Sequence, residues 1–410
     1  AAGSPSKEGW AFLALGLLGN DETARRLAPR IREWPGEAAH QRAVTGLDLL
    51  AAIGSDVALM HLNGIAGKVK FKALQDRAKE KIAAVAEARG FTAAELADRL
   101  VPDLGLDEQG TLALDFGPRQ FFVGFDETLK PFVKDAQGVR LKDLPKPTRA
   151  DDAALAEAAT DRYKQLKKDA KAIASLQVTR LEASMVERRR WSAADFQLFF
   201  LGHPLMRHLA ARVVWGVYDA QGRLTDAFRV AEDGTLADRD DTLLALPDDA
   251  TVGIAHVLEM PAALQASFGQ ILADYEILQP FKQLARETYE LTDAERAGSE
   301  ILRFQHKVVA SGSVMGLVNR GWERGQAQDA GWVGWFSKPV GDGLEVQLEL
   351  DPGMVVGDLS FEPKQHIPRI VLRKCGTWDQ DGRIAFDRLS PILASEVLRD
   401  AELLAPYQDA

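Results

Sequence analysis

The first 108 residues place apolar side chains three and four positions apart, which puts each set on one face of an α-helix. The clearest stripes are Trp10, Leu13, Leu17 and Leu18; Leu27, Ile31 and Trp34; and Val44, Leu47, Leu50 and Ile53. Breaks that contain glycine separate these stripes, and glycine commonly ends a helix. Short helices joined by short loops predict a HEAT-like helical-repeat segment over residues 1–108.

At Gly110 the pattern changes to short runs rich in Phe, Val and Leu. The runs cover residues 111–116, 120–125 and 132–144. Turns are expected at Gly117-Pro118 and at Ala136-Gln137-Gly138, as in β-hairpins. Residues 109–150 are therefore expected to form a short antiparallel β segment.

Residues 151–410 mix both periodicities, which predicts an α+β domain. A long helix is expected over 151–190, and a capping box at Ser192 begins another. Further strands are expected at 212–218, 224–230, 251–258, 332–336, 344–350, 367–373 and 383–386, and further helices after Pro261, at 313–319 and after Pro391. Strict alternation over 344–350 predicts one buried and one solvated face. The predicted fold class is α+β: HEAT-like helical repeats, then mixed antiparallel sheet and helix domains.

Composition narrows the class of protein. The 410 residues carry 50 Lys+Arg against 60 Asp+Glu, and a net charge of -10 argues against wrapping nucleic acid through global charge. The one cysteine, Cys375, excludes a disulfide framework and a zinc site of several thiolates, and it fits a reducing, cytoplasmic compartment. The apolar run over 10–19 is about half a membrane span. Since the chain does not begin with Met, we expect a piece of a longer, soluble bacterial protein.

The sequence contains no P-loop, no dinucleotide glycine fingerprint, no His-Glu-x-x-His and no Gly-x-Ser-x-Gly, so catalytic residues and cofactors stay unassigned. The densest polar and aromatic segment is 320–332, whose arginines can grip a carboxylate or phosphate and whose tryptophans can stack on a ring. The predicted ligand-binding residues are Arg320, Trp322, Arg324, Gln328, Asp329 and Trp332. The alternative is a structural glycine loop with the tryptophans packed beneath it and Arg–Asp pairs holding it.

Two further segments have a functional and a structural interpretation. The basic face of 164–190 suits nucleic acid or an acidic partner, although interrupting carboxylates favour a solvated helix face. Tyr275 and Glu276 could form an acid/base pair only in a cleft that shifts their pKa values, and the alternative is a helix end held on the sheet.

Histidine and cysteine give weak signals. His203 and His208 are five residues apart, which does not match the spacing of metal ligands on a helix, and no metal site is predicted. Cys375 follows Lys374, which would lower the thiol pKa, but no partner histidine or asparagine is evident and a catalytic role is not expected.

Several segments together resemble a known family. They are residues 190–204, 215–218, 274–280, 320–322 with 328–332, and 393–400. They are similar to the bacterial domain of unknown function 4132 family, found near the C-terminus of molybdate-metabolism-regulator-like (MolR-like) proteins, and the similarity covers about residues 110–405. The resemblance carries over no catalytic residue. It implies a helical-repeat region before the domain and a MoxR-type ATPase or von Willebrand A protein as partner.

The sequence leaves two main functions open and a third that is less favoured. The first is a non-catalytic protein-interaction or regulatory scaffold, which predicts an exposed apolar or aromatic patch. The second is a nucleotide- or ADP-ribose-like ligand-binding or enzymatic domain that uses Arg320 to Trp332. The third is a nucleic-acid-associated protein that uses the basic 164–190 helix. The sequence does not decide whether the chain is an enzyme.

Overall fold

The computed structural model describes residues 9–68, 71–328, 331–377 and 382–408. Two compact units are present: unit 1 comprises Ala1–Leu176 and Gln197–His208, and unit 2 comprises Gln177–Phe196 and Leu209–Ala410. Helices and antiparallel sheets occur together, which confirms the α+β class. Within these ranges no helix combines the length and apolarity needed to cross a bilayer.

Unit 1 begins with six helices. They are α1 Gly9–Leu18, α2 Asp21–Glu33, α3 His40–Ile53, α4 Asp56–Lys68, α5 Lys72–Ala88 and α6 Ala93–Arg99. The predicted stripes explain the packing: α3 contacts α1, α2, α4 and α5, and buried Leu27, Ile31, Leu47 and Leu50 belong to one core. The helix lengths range from 7 to 17 residues, so a regular HEAT-like repeat stays a prediction.

Unit 1 also holds a four-stranded antiparallel sheet in the order β1-β2-β3-β4. The strands are β1 Leu112–Asp115, β2 Gln120–Phe125, β3 Pro131–Asp135 and β4 Arg140–Leu141. The first two agree with the predicted runs. The run over 132–144 forms two strands, because the chain reverses in the turn expected at Ala136-Gln137-Gly138, where Asp135 accepts the backbone N–H groups of Gln137 and Val139.

The long helix α7, Ala153–Val186, confirms the expectation for 151–190 to within a few residues. Its first turn is capped by Asp152, whose Oδ1 accepts the backbone N–H groups of Ala154 and Leu155. The helix expected at Ser192 begins as predicted but continues as a π-helical turn. This stretch comprises β5 Trp191–Ser192, α8 Ala193–Phe196, the π-helix Gln197–Leu201 and α9 Met206–Ala210.

In unit 2 one five-stranded antiparallel sheet has the order β5-β9-β6-β7-β8. Its later strands are β6 Trp215–Tyr218, β7 Leu224–Val230, β8 Leu236–Ala237 and β9 Thr251–Ile254. The predicted hairpin is β6–β7, whereas the strand expected over 251–258 ends early because His256 caps a 3-10 helix, Val257–Glu259. Helix α10, Ala262–Asp274, follows Pro261, and its buried Phe268 packs with Val214 and Ala227.

A second sheet of unit 2 has the path β10-β16-β14-β13-β12, and β11 and β15 pair beside it. Its strands are β10 Glu300–Ile301, β11 Val308–Ala310, β12 Glu323–Arg324, β13 Trp332–Gly341, β14 Leu344–Val355, β15 Lys364–His366 and β16 Ile370–Lys374. The accompanying helices are α11 Asp293–Ala297, α12 Ser311–Met315, the 3-10 helices Gly316–Arg320 and Phe386–Arg388, and α13 Pro391–Glu402.

Two expectations for this sheet are corrected. Residues 383–386 do not form a strand: an isolated bridge joins Arg383 to Arg373 before a 3-10 helix begins. Strand β14 does not have one fully solvated face, because it lies between β13 and β16 and its Gln347 is buried. The amide oxygen of Gln347 accepts from Nη1 of Arg373 at 2.5 Å, so a neighbouring strand supplies the polar partner.

One turn closes hairpins and loops throughout the β segments. An aspartate at its first position accepts, through Oδ1, the backbone N–H of the residue four positions on, and the fourth residue has positive φ. The turns start at Asp107, Asp126, Asp135, Asp219 and Asp238. Since one carboxylate replaces missing backbone acceptors, the turn fixes the register locally. It joins β2 to β3, β3 to β4 and β6 to β7.

Candidate functional site

The segment predicted to bind a ligand forms the connection from a 3-10 helix to β13. Arg320 ends the helix, Gly321 leaves it with φ of 83°, and Arg324 lies on β12 opposite Phe336. The exposed Gln328 makes the turn into β13, where its backbone N–H donates to the carbonyl of Trp332 at 2.8 Å. Asp329 lies outside the described residues.

Trp322 points into unit 2 and not toward solvent. Its side chain is buried in the same core as Phe336, and its Nε1–H donates to Oδ2 of Asp400 at 2.8 Å. This placement matches the structural alternative for that tryptophan, because a buried indole offers no face for stacking a ligand. Trp332 is half-buried, at the start of β13 and opposite Val355.

Asp400 on α13 organises the positive charges around this loop. Its carboxylate is buried, and Oδ2 also accepts from Nζ of Lys338 at 2.8 Å. Nη1 of Arg320 lies 3.7 Å from Oδ1, and 37% of the Arg320 side chain remains exposed. One buried carboxylate therefore faces two cations, and Arg320 keeps donors directed at solvent.

Arg324 is held differently. The side chain is half-buried, and this burial lowers the pKa of its guanidinium because charge is less well solvated there. Sequence reasoning missed Lys338 and Asp400, which join the loop from β13 and α13. No local pattern could have found them, since Asp400 is 78 residues from Trp322.

The most strongly buried polar cluster of unit 2 lies elsewhere, between Arg286, Glu396 and His256. Arg286 donates to both oxygens of Glu396 at 2.6 Å, and Nε2 of His256 lies 3.3 Å from Oε1. Nδ1 of His256 accepts the backbone N–H of Leu258, so the ring proton is assigned to Nε2, which donates to the carboxylate. With side chains no more than 3% exposed, the cluster is closed to a substrate.

A second carboxylate, Glu259, holds the hairpin β6–β7. Tyr218 donates its hydroxyl to Oε2 at 2.8 Å, and Arg190 donates to Oε1 at 3.0 Å while its guanidinium covers the Tyr218 ring at 3.5 Å. Burial and the nearby Glu259 charge raise the pKa of Tyr218 far above its usual value. The phenol is therefore a fixed hydrogen-bond donor and a poor proton shuttle.

Tyr275 ends helix α10 and is tied to a turn. Its hydroxyl donates to Oδ2 of Asp241 at 2.7 Å, which raises the tyrosine pKa, and Arg229 lies 4.4 Å from its ring centroid. Glu276 adopts φ of 54° just past the helix. These contacts describe an anchored helix end, as the structural interpretation expects, and the acid/base role stays a prediction.

The histidine and cysteine candidates are also placed. Nδ1 of His203 accepts from the backbone of Leu205 and Met206, so His203 caps a turn. In the part of the chain that the structure covers, no three His, Cys, Asp or Glu side chains group as metal ligands. Cys375 is an exposed residue, although its thiol is partly desolvated. This desolvation and the Glu345 charge raise the thiol pKa, which corrects the expectation of a lowered value.

The basic face of α7 is partly neutralised. Lys164 pairs with Asp161 at 3.0 Å and Lys167 with Asp143 at 3.6 Å, while Lys168 and Lys171 are exposed. Exposed pairs of this kind contribute little free energy. A nucleic-acid role for this face stays a prediction.

Comparison with known proteins shows which sequences this chain resembles, and none of them has an assigned activity. A family model described as "Domain of unknown function (DUF4132)" matches residues 138–322. The chain is 46% identical over 326 residues to "Uncharacterized protein YehI" of Escherichia coli (strain K12), an alignment that covers 79% of this chain and 27% of YehI. No solved structure is significantly similar. The chain thus spans about a quarter of its curated relative, and its similarity is to a family defined by sequence and not by reaction.

Proposed function

We propose that this chain is a non-catalytic protein-interaction module of a cytosolic regulatory or scaffold protein. The observation that supports this is helix α1, whose sequence GWAFLALGLL has no charged or hydrogen-bonding side chain except the Trp10 indole. Four of its large side chains are exposed: Trp10, Leu13, Leu17 and Leu18, by 70, 59, 89 and 83%. Patches of this kind on proteins mark interaction surfaces.

Helix α1 is anchored by its opposite face. Phe12 meets Trp34 edge to face with 5.7 Å between ring centroids, and Gly16 is buried where a Cβ would lie 3.1 Å from Leu49. The outer positions 10, 13 and 17 follow helical spacing and form one apolar stripe. An anchored helix with an apolar outer stripe suits docking against an apolar groove or helix of a partner.

We infer the partner from the family resemblance: it is a MoxR-type ATPase or a von Willebrand A protein from the same bacterium. The test is titration of purified chain against each of these proteins by biolayer interferometry. We expect Leu13→Gln/Leu17→Gln to weaken binding at least about tenfold. Burial of one leucine side chain in an interface contributes about 1.5–3 kcal/mol of transfer free energy. The control Lys168→Gln/Lys171→Gln leaves an apolar interface unchanged. Absence of binding to both proteins, or equal binding by the leucine variant, refutes this function.

A second candidate is a nucleotide- or ADP-ribose-like ligand at Arg320. It is favoured by the part-exposed guanidinium beside Lys338 over one buried carboxylate. Arg324, Gln328 and Trp332 are proposed as further contacts. In a thermal-shift assay, ADP-ribose or ATP at about a hundred times Kd should raise Tm by several degrees. The shift should disappear in Arg320→Gln and persist in the control Arg388→Gln; no shift in the wild type contradicts this site.

A further inference from the structure

The sheet of unit 1 has one apolar face toward the core and one unusual face away from it. Alternation along the strands separates the two, and the inward side chains are Leu114, Phe121, Val123, Phe125 and Val133. The other face carries half-buried Phe122 and Phe132 and exposed Lys134 and Arg140. Antiparallel register places Phe122 opposite Lys134, and Lys134 opposite Arg140. Two aromatic rings and two cations therefore share one face of three neighbouring strands.

Phe132 is the centre of this face. It lies against Gly124 on the neighbouring strand, where a Cβ would come within 2.9 Å of the ring. The guanidinium of Arg140 lies 4.3 Å from the ring centroid, and Nζ of Lys134 lies 5.5 Å from it. Glycine at 124 thus lets the ring lie flat, and the ring orients both cations.

Placing Lys134 directly opposite Arg140 costs stability, because like charges repel across a strand pair. Neither cation has an ion pair with a carboxylate of the described chain. The negative charge of Asp126 acts on Arg140 only at a distance, and its Oδ1 is engaged by the N–H groups of Thr128 and Lys130. The pair is therefore arranged to receive negative charge from outside this sheet.

The charge of the segment that contains β3 and β4 has the same sign, whereas residues 107–129, which contain β1 and β2, carry five Asp or Glu and one Arg. Residues 130–150 contain six Lys or Arg and two Asp, a net charge of +4 within a chain of net charge -10. Both aspartates are engaged: Asp135 accepts two turn N–H groups, and Asp143 pairs with Lys167. Cations beside aromatic rings on β2–β4 have the chemistry that holds unstacked bases on rings and phosphates on cations.

We propose that this face of β2–β4 binds single-stranded nucleic acid. Phe122 and the stacked Phe132–Arg140 pair receive bases, and Lys134 neutralises phosphate. A duplex fits less well, because its bases are already stacked on each other and unavailable to the rings. The site shares no residue with helix α1 or with the loop that contains Arg320, so it is a function beyond the two proposed above.

The test is fluorescence anisotropy of the full chain with labelled single-stranded DNA and RNA of about 20 nucleotides and a duplex of equal length. We expect tighter binding of single strands than of duplex, and an affinity that falls steeply between about 50 and 200 mM salt. Lys134→Gln/Arg140→Gln should weaken binding at least about tenfold and reduce the salt slope. Phe122→Leu should weaken single-strand binding about tenfold with little change in that slope.

The matched control removes two exposed charges of unit 2, Arg239→Gln/Lys374→Gln, and should bind like the wild type. Thermal melts of every variant establish that the fold is retained. The proposal is overturned if the wild type binds no oligonucleotide at low salt, or if both charge variants lose affinity equally. Equal affinity for duplex and single strand, with Phe122→Leu unchanged, overturns it as well, since this is binding by charge alone.

Discussion

Arg286 and Glu396 form a bidentate ion pair in the interior of unit 2, with both donor–acceptor distances at 2.6 Å. The two residues are 110 positions apart and join the segment after α10 to the last helix, α13. Both side chains are no more than 3% exposed. A pair so deeply buried has lost its hydration, so each charge depends on the other.

Removing one partner of this pair should therefore destabilise the protein strongly. We expect Arg286→Met to lower the free energy of unfolding by about 3–5 kcal/mol, because it strands the Glu396 charge in the interior. Urea unfolding followed by circular dichroism measures this loss of unfolding free energy. The control Glu182→Gln removes the outer partner of Arg286, whose side chain is 37% exposed, and should cost about 1 kcal/mol or less. Equal losses in the two variants contradict this assignment.

The same pair predicts acid sensitivity. Burial acts to raise the pKa of Glu396, but hydrogen bonds from Arg286 and His256 outweigh it and lower the pKa to about 2 from 4.5. A carboxyl with a depressed folded pKa contributes its full stability above 4.5, and this contribution is lost as pH falls toward 2. The difference in unfolding free energy between wild type and Glu396→Gln should shrink across that window; a constant difference would count against the shift.

His61 predicts a pH effect in unit 1. Burial, with the charges of Arg32 and Arg25, lowers its pKa to about 4, and its Nε2 has no hydrogen-bond partner among the described residues. Because the folded pKa lies below the unfolded 6.5, protonation favours the unfolded chain between these values. The wild type should lose stability relative to His61→Leu as pH falls from 6.5 to 4. NMR titration of the ring protons tests it directly, and a midpoint near 6.5 refutes it.

The side chain of Gln283 caps the adjacent ends of β6 and β9. Its Oε1 accepts from the N–H of Val214, and its Nε2 donates to the carbonyls of Val214 and Ala255. Gln283→Leu should cost about 2–4 kcal/mol, since buried backbone groups lose their partners. Differential scanning calorimetry measures the fall in Tm, with exposed Gln137→Leu as the control. A Tm unchanged from the wild type would show that water or backbone rearrangement satisfies these groups.

The elements that sequence analysis predicted correctly depend on local chemistry. The hydroxyl oxygen of Ser192 accepts the backbone N–H of Asp195, three residues on, as the predicted capping box requires. Helix α7 follows from continuous apolar spacing. The turn predicted at Ala136-Gln137-Gly138 is also local, since Oδ1 of Asp135 accepts the backbone N–H groups of Gln137 and Val139. Local signals are read reliably because their partners lie within one turn of chain.

The site was harder to predict because its partners come from distant segments. Arg320 and Trp322 were selected for their chemistry, and the structure joins them to Lys338 and Asp400. An indole that is buried and one that stacks on a ligand look identical in sequence. Only the fold shows that the Trp322 N–H already has a carboxylate acceptor.

The position of Asp400 has a practical consequence. The matched family region ends at Trp322, yet the indole of that residue is satisfied 78 residues later, and Arg286 likewise depends on Glu396. A fragment cut at residues 138 and 322 would keep a buried arginine and lose its counter-ion. The family-model match thus marks a stretch that omits partners of its own buried groups, and a protein expressed to those limits would be expected to aggregate or be degraded.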